Sequence, residues 1–190
     1  MKGQILANRS SKKRSLVDFY ATPQEVTKAL ITFLDIPKDK IIWECACGKG
    51  NMSKVIEEAG YRVISTDLYE RGYGEKVDFL TIPKGKINCN WIITNPPFSK
   101  SVEFIKKSYD LGVEGFAFLL KSQYWHSKKR LSLFEKTAPA YILPLTWRPD
   151  FLFGEKSGSP TMEVLWTVWT KRNQQVARYI PLEKPIREVK

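Results

Sequence analysis

With 190 residues, 43% of them hydrophobic, the chain can bury one sizeable core, whereas two independent domains would each sit near the lower size limit, so a single domain is expected. No apolar run approaches the roughly 20 residues that span a bilayer, and Met1-Lys2-Gly3-Gln4 lacks the apolar stretch of a signal peptide; a membrane-spanning helix is excluded and the cytoplasm is the expected location. The formal net charge of +11 attracts polyanions whatever the fold, which makes nucleic acid the leading partner class.

In chain order, residues 1–17 read as a basic arm carrying Lys2, Arg9, Lys12, Lys13 and Arg14 with little periodicity. Thr22 then offers an N-cap and Pro23 a first helical position, and Val26, Ala29, Leu30, Phe33 and Leu34 recur at helical spacing to about Leu34. From Lys40 strands and helices alternate. Ile41-Ile42-Trp43 is the first strand, turning through Gly48-Lys49-Gly50 into a helix over 51–59 that ends at Gly60. Residues 62–67 form the second strand, 77–79 a short third, and Trp91-Ile92-Ile93-Thr94 a fourth that runs into Asn95-Pro96-Pro97-Phe98, where prolines end it.

A helix over 101–111 stops at Gly112, and the nearly continuous apolar run 115–120 predicts a buried fifth strand. Residues 122–136 are expected as one helix, 141–143 as a sixth strand and 162–170 as a seventh, with 171–190 left as a basic tail. The cysteines Cys45, Cys47 and Cys89 are odd in number, and Cys45-x-Cys47 has no second pair or His cluster beside it; they read as reduced structural thiols, with no metal site.

This alternation predicts an α/β fold: a seven-stranded, mostly parallel sheet with helices on both faces and an antiparallel last strand, in a domain over 18–170. Such sheets bind ligands beyond the carboxyl ends of their strands. The unusual residues fall at that edge: Gly48 and Gly50 after the first strand, Asp67 after the second, 95–98 after the fourth and 121–125 after the fifth. The loop 145–160 joins them if the last strand returns antiparallel.

A glycine turn between strand and helix lets the backbone approach a ligand and aims helix N-terminal amides at it. Two glycines do not make the three-glycine spacing of a dinucleotide site. Asp67, seventeen positions after Gly50, can accept hydrogen bonds from both hydroxyls of a ribose. Trp43-Glu44-Cys45-Ala46-Cys47-Gly48-Lys49-Gly50 followed by Thr66-Asp67 resembles the first two motifs of class I S-adenosylmethionine-dependent methyltransferases, with Glu44 at the family's acidic position. Asp78-Phe79-Leu80 is similar to the third motif, where an acid meets the cofactor's adenine amino group and an apolar neighbour packs on its ring.

Asn95-Pro96-Pro97-Phe98 is the most specific signal. Two prolines remove backbone donors and stiffen the turn, so the Asn95 side chain and the Pro96 carbonyl can be held as paired acceptors. Acceptors suit an amino group. An aromatic amine is a poor nucleophile because its lone pair is delocalised; two fixed acceptors favour a pyramidal nitrogen and stabilise the positive charge that develops on it. Phe98 offers a face on which a base can stack.

The tetrapeptide resembles the fourth motif of amino-methyltransferases, and Asp18-Phe19-Tyr20-Ala21-Thr22-Pro23 resembles the motif that DNA adenine-N6 methyltransferases place ahead of the core, against the cofactor's methionine end. The resemblance is closest to small, bacteriophage-type enzymes of that kind. It implies S-adenosylmethionine as cofactor, held by Tyr20, Thr22, Pro23, Glu44, Ala46, Gly48, Gly50, Asp67, Leu68, Asp78, Phe79 and Asn95, and methyl transfer at Asn95, Pro96, Pro97 and Phe98. Many of those enzymes have Asp first and Tyr fourth in the motif, and they carry a large recognition domain. Here the expected nucleic-acid contacts are Lys12, Lys13, Arg14, Lys121, Gln123, Trp125, Lys128, Lys129, Arg130, Trp147 and Arg148, with DNA favoured over RNA and sequence selectivity limited or set by short loops. Phe151 is a further aromatic that could stack a base or pack in the core. His126, the sole histidine, reads as a surface helix residue. RNA base methylation, protein glutamine-N5 methylation and an inactive nucleic-acid-binding subunit of the same fold stand as alternatives.

Overall fold

The computed structural model describes residues 20–151, 162–171 and 176–186, with the side chain of Lys129 excepted. Lys12, Lys13, Arg14, Asp18, Phe19 and the loop 152–161 lie outside the described residues.

The chain begins with α1 (Gln24–Leu34), which packs Val26, Thr27, Ala29, Leu30 and Ile31 inward and ends at Asp35 in the left-handed region (φ 41°). Then come β1 (Ile41–Glu44), α2 (Asn51–Glu58), β2 (Arg62–Asp67), β3 (Glu75–Lys76), β4 (Trp91–Thr94), α3 (Ser101–Leu111), β5 (Gly115–Lys121), α4 (Leu131–Lys136), β6 (Tyr141–Pro144), β7 (Val164–Thr170) and β8 (Arg178–Tyr179). They form one sheet in the order β3-β2-β1-β4-β5-β7-β6-β8. The pairs β1–β2, β2–β3, β1–β4 and β4–β5 are parallel. β7 runs antiparallel to both β5 and β6, so β6 points the same way as the parallel set. The carboxyl ends Glu44, Asp67, Thr94, Lys121 and Pro144 therefore share one edge, and residues 145–151, the described start of the loop after β6, continue from it.

The core lies on both faces of the sheet. One side gathers α1 and α2 over Ile42, Ile93, Leu119 and Trp166; the other gathers α3 over Trp43, Ile92, Phe118 and Trp169. A buried indole N–H needs an acceptor, and each of these tryptophans has one. Trp43 Nε1 donates to Thr66 Oγ1 (2.9 Å), Trp166 Nε1 to the Val26 carbonyl (3.0 Å) and Trp169 Nε1 to the Thr137 carbonyl (2.8 Å). The Trp166 bond fastens α1, which begins next to the motif at 18–23, to a central strand. No helix among the described residues is long and apolar enough to cross a membrane.

Four details differ from the sequence-based expectation. Pro23, not Thr22, stands at the N-cap of α1 and no side chain caps the helix; the Thr22 hydroxyl accepts from Asn95 Nδ2. The third strand is Glu75–Lys76, two residues early; the Val77 amide still donates to the Asp67 carbonyl (2.9 Å), after which Asp78 opens a turn. Residues 122–136 are not one helix: 3₁₀ turns at Ser122–Trp125 and Lys128–Arg130 precede a short α4. Ser127 is extended there (φ −158°, ψ 114°), and the break lets the Arg130 guanidinium donate to the Tyr124 carbonyl while Trp125 packs on Phe134 with ring centroids 5.0 Å apart. Finally, β8 extends the sheet to eight strands from residues expected as tail, with the Leu182 amide donating to the Pro144 carbonyl (2.8 Å).

Candidate active site

A cavity of about 510 Å³ opens at the carboxyl edge of β1, β2 and β4, within the size range of small-molecule sites. Tyr20, Thr22, Glu44, Ala46, Asp67, Leu68, Asp78, Phe79, Asn95, Pro96, Pro97 and Phe98 all line it. Of the residues expected there, Pro23, Gly48 and Gly50 do not: Pro23 is buried at the start of α1, and the two glycines shape the turn behind the lining.

The turn shows why. Gly48 N–H donates to Asp67 Oδ2 (2.8 Å), which binds the turn after β1 to the end of β2. Gly50 has φ 78°, and a Cβ there would meet the Tyr73 ring at 2.5 Å. Its missing side chain is thus required by a tyrosine of the same chain.

Asp67 is nearly buried. Its Oδ1 accepts from the Tyr69 amide (2.9 Å) and faces Arg71 Nε at 3.7 Å. Each carboxylate oxygen has two lone pairs, so acceptor capacity remains after these bonds. Asp78 Oδ1 accepts from the Leu80 amide (2.9 Å), which fixes the carboxylate at the cavity wall beside Phe79. Phe79 is held by Trp43 and Phe104 at centroid distances of 5.1 and 4.6 Å.

Glu44 ends β1 with only 3% of its surface exposed, and the Ser53 hydroxyl donates to its Oε2. Ser53 Oγ in turn lies 2.7 Å from Ser65 Oγ. Burial pushes the Glu44 carboxyl up to about 7; the Ser53 bonds oppose this, and the charges of Asp67 and Glu57 add to it. Because the folded carboxyl holds its proton more tightly than an unfolded one, its contribution to stability is full below about 4.5 and is lost as pH rises through about 7. At ~1.4 kcal/mol per pH unit this amounts to about 3 kcal/mol, so the ligand-free protein should lose stability over that window and Glu44→Gln should not. Thermal melts of both at about pH 5 and pH 8 check it; parallel behaviour would contradict the assignment.

Burial, with Glu44 and Asp67 beside it, pushes Cys47 up to about 12, and its Sγ donates to the Tyr73 carbonyl (3.4 Å). Burial raises Cys45 well above its ordinary value and Cys89 to about 12, and all three cysteines are free.

At the end of β4 the Asn95 amide is pinned: Nδ2 donates to Thr22 Oγ1 (3.2 Å), joining residues 73 positions apart. Asn95 Oδ1 is buried without a hydrogen-bond partner among the described residues. The Lys100 amide takes the Pro97 carbonyl (2.8 Å) and the Ser101 hydroxyl takes that of Phe98 (3.0 Å), while no described donor takes that of Pro96. The half-buried Phe98 ring lies 6.1 Å from Tyr20, inclined by 32°, with Lys121 Nζ over it at 4.6 Å from the centroid.

The residues proposed for nucleic-acid contact divide. Gln123, Lys128 and His126 are exposed, and Lys121 is half-buried beside Phe98. Trp147 and Arg148 lie on the loop after β6, where Arg148 Nη2 meets Glu163 Oε1 at 3.0 Å. Trp125 and Arg130 are committed within the fold as described above, and Phe151, 7% exposed, packs edge-on against Tyr20. Sequence reasoning missed Asn51, Met52, Tyr69, Arg71 and Phe104, all in the cavity wall. Arg71 had a local signal in its i,i+4 spacing from Asp67; Phe104, a turn into α3, had none beyond its place on an apolar face.

No family model matches the sequence, and no curated protein matches it. Solved structures do. A methyltransferase subunit of a type I restriction-modification system from Streptococcus thermophilus superposes with a TM-score of 0.61 at 15% identity, over 85% of this chain and 47% of that one. A modification subunit of a putative type I restriction enzyme from Vibrio vulnificus gives 0.59 at 10%, over 93% and 49%. A putative RNA methyltransferase from Pyrococcus horikoshii gives 0.60 at 13%, over 84% and 91%. This chain thus spans about half the length of the first two. The likeness is one of fold: the chain adopts the Rossmann-like methyltransferase fold, with its cavity at the carboxyl edge of the sheet.

Proposed function

We propose that this chain is an S-adenosylmethionine-dependent methyltransferase acting on an exocyclic amino group of a nucleic-acid base, with the N6 amine of adenine in DNA as target. The observation that carries the reading is Asn95 Oδ1, a buried acceptor without a partner in the described residues, on an amide whose nitrogen is committed to Thr22. Buried acceptors are ordinarily satisfied, so this one calls for a donor from a ligand.

The set of acceptors fits the cofactor. Glu44, Asp67 and Asp78 in the wall suit a ligand that carries a sulfonium, an ammonium and a ribose diol. Asp67 would hold the ribose hydroxyls on its remaining lone pairs, Asp78 the adenine amine with Phe79 and Leu68 against the ring, and Tyr20 and Thr22 the methionine end. When bound, S-adenosylmethionine supplies an electrophilic methyl group. The residues of the chain do the rest by position. Asn95 Oδ1 and the Pro96 carbonyl accept from the two hydrogens of the target amine, turn its lone pair toward the cavity and stabilise the charge that grows on nitrogen. No strong base is needed before transfer.

The net charge of +11 supports a nucleic acid over a peptide. The motif at 20–23 meeting Asn95 supports DNA adenine, as does the place of the Streptococcus thermophilus structure in a restriction-modification system. Lys12, Lys13, Arg14, Lys121, Gln123, Lys128, Lys129, Trp147 and Arg148 are the proposed contacts. A target in duplex DNA would be flipped out to reach Asn95. RNA is the second reading, favoured by the superposition on 91% of the putative RNA methyltransferase from Pyrococcus horikoshii. Transfer of label from S-adenosylmethionine to matched DNA, RNA and a glutamine peptide tests it. Label in DNA is expected; label in RNA alone selects the second reading, and label only in the peptide overturns both.

A further inference from the structure

The cations near the cavity differ in how they are neutralised. Lys100 and Arg71 each face a carboxylate, Glu103 at 3.2 Å and Asp67 at 3.7 Å. Lys121 faces none among the described residues. It is the last residue of β5, next to the end of β4 that carries Asn95, and its Nζ rests over the Phe98 ring at 4.6 Å. That is an ammonium on an aromatic face. It is also the kind of face on which a planar base stacks. An ammonium there and a stacked base exclude one another, and the Tyr20 ring, 6.1 Å from Phe98, is close to the same ring. One face of Phe98 is therefore occupied at rest by an ammonium on a flexible four-carbon stem that no described carboxylate neutralises.

Resting on the function proposed above, we propose that Lys121 keeps the face of Phe98 until the target nucleotide enters, then swings to the phosphate beside that nucleotide and yields the face to the base. The residue thereby couples stacking at Phe98 to the presence of a backbone phosphate, which makes the site select a nucleotide within a strand over an isolated amine. The location supports this: β5 ends at the sheet edge where 95–98 lie, and the chain continues into the exposed Gln123 along the same rim.

The test uses the full chain and an oligonucleotide that the wild-type protein methylates. Lys121→Met keeps the stem and removes the charge. It should raise KM for the oligonucleotide about tenfold, with the loss in KM larger than that in kcat, and flatten the slope of log affinity against log salt by about 0.7 to 0.9, one phosphate's share. Lys121→Arg should restore the slope. A single uncharged methylphosphonate beside the target should cost the wild type about the same tenfold and Lys121→Met little more. An unchanged salt slope in Lys121→Met, or additive losses with the methylphosphonate, would overturn the proposal. So would loss of S-adenosylmethionine binding in both Lys121→Met and Lys121→Gln, since the lysine would then be a structural part of the cavity. A wild-type protein that methylates no nucleic acid overturns the parent reading first.

Discussion

Asn95→Ala is expected to leave S-adenosylmethionine binding within a few-fold of wild type and to lower kcat for base methylation by about 10²- to 10³-fold, the scale on which removing one preorganised hydrogen-bonding group acts in other active sites. The physical case is local. Asn95 Oδ1 is a buried acceptor with no described partner on a residue that lines the cavity, and its amide nitrogen is committed to Thr22. Alanine removes the acceptor and leaves the Pro96 carbonyl alone with an amine that has two hydrogens to place. Asn95→Asp separates acceptor chemistry from packing. It keeps an oxygen at the same position, and the Thr22 hydroxyl can donate to the other carboxylate oxygen. The aspartate variant should therefore recover much of the activity that alanine loses. Isothermal titration with the cofactor and single-turnover methylation measure the two halves; equal loss of binding and transfer would place Asn95 in cofactor binding and not at the amine.

Asp67→Ala should weaken S-adenosylmethionine binding by about a hundredfold, ~2.7 kcal/mol, the scale of hydrogen bonds to a charged acceptor. The same substitution should lower Tm, because Asp67 serves two roles. Its Oδ2 receives the Gly48 amide at 2.8 Å and its Oδ1 the Tyr69 amide at 2.9 Å, so alanine strands two backbone donors in the wall of the cavity. Asp67→Asn is the milder variant: one oxygen still accepts, while the new amide nitrogen faces an N–H. It should rank between wild type and alanine in both affinity and Tm. A cofactor affinity that survives Asp67→Ala while Tm falls would make the residue a turn support and remove it from the ligand.

The residues that the sequence shows best are those whose chemistry is local. Strands such as Ile41–Glu44 and Gly115–Lys121 are short, nearly continuous apolar runs because both faces are covered, and their ends carry the unusual residues. A parallel sheet brings those ends together without further information, so Gly48, Asp67 and 95–98 could be placed on one edge from the strand pattern, whereas Asp78 was marked only by its likeness to the methyltransferase third motif. Contacts between distant segments left no such mark. Thr22 looks like a helix cap to any local rule; only the fold brings Asn95 to its hydroxyl, and the cap is lost. Residues 122–136 have a helical apolar spacing, yet the burial of Tyr124 and the packing of Trp125 on Phe134 compete with helix continuity and break it at 126–127. β8 pairs with β6 through only two residues, too few for alternation to register. Lys121 belonged to a general basic set until its place over Phe98 distinguished it.

If the cavity and Asn95 together methylate a base amine, the product is a modified nucleoside of defined mass. Its most direct measurement is nucleoside mass analysis of DNA and RNA after incubation with S-adenosylmethionine and the wild-type protein, with the Asn95→Ala protein run beside it. N6-methyladenine in DNA is expected from the wild type, with its loss in Asn95→Ala. Methyl groups on carbon or oxygen atoms, or the same N6-methyladenine yield from both proteins, would contradict it.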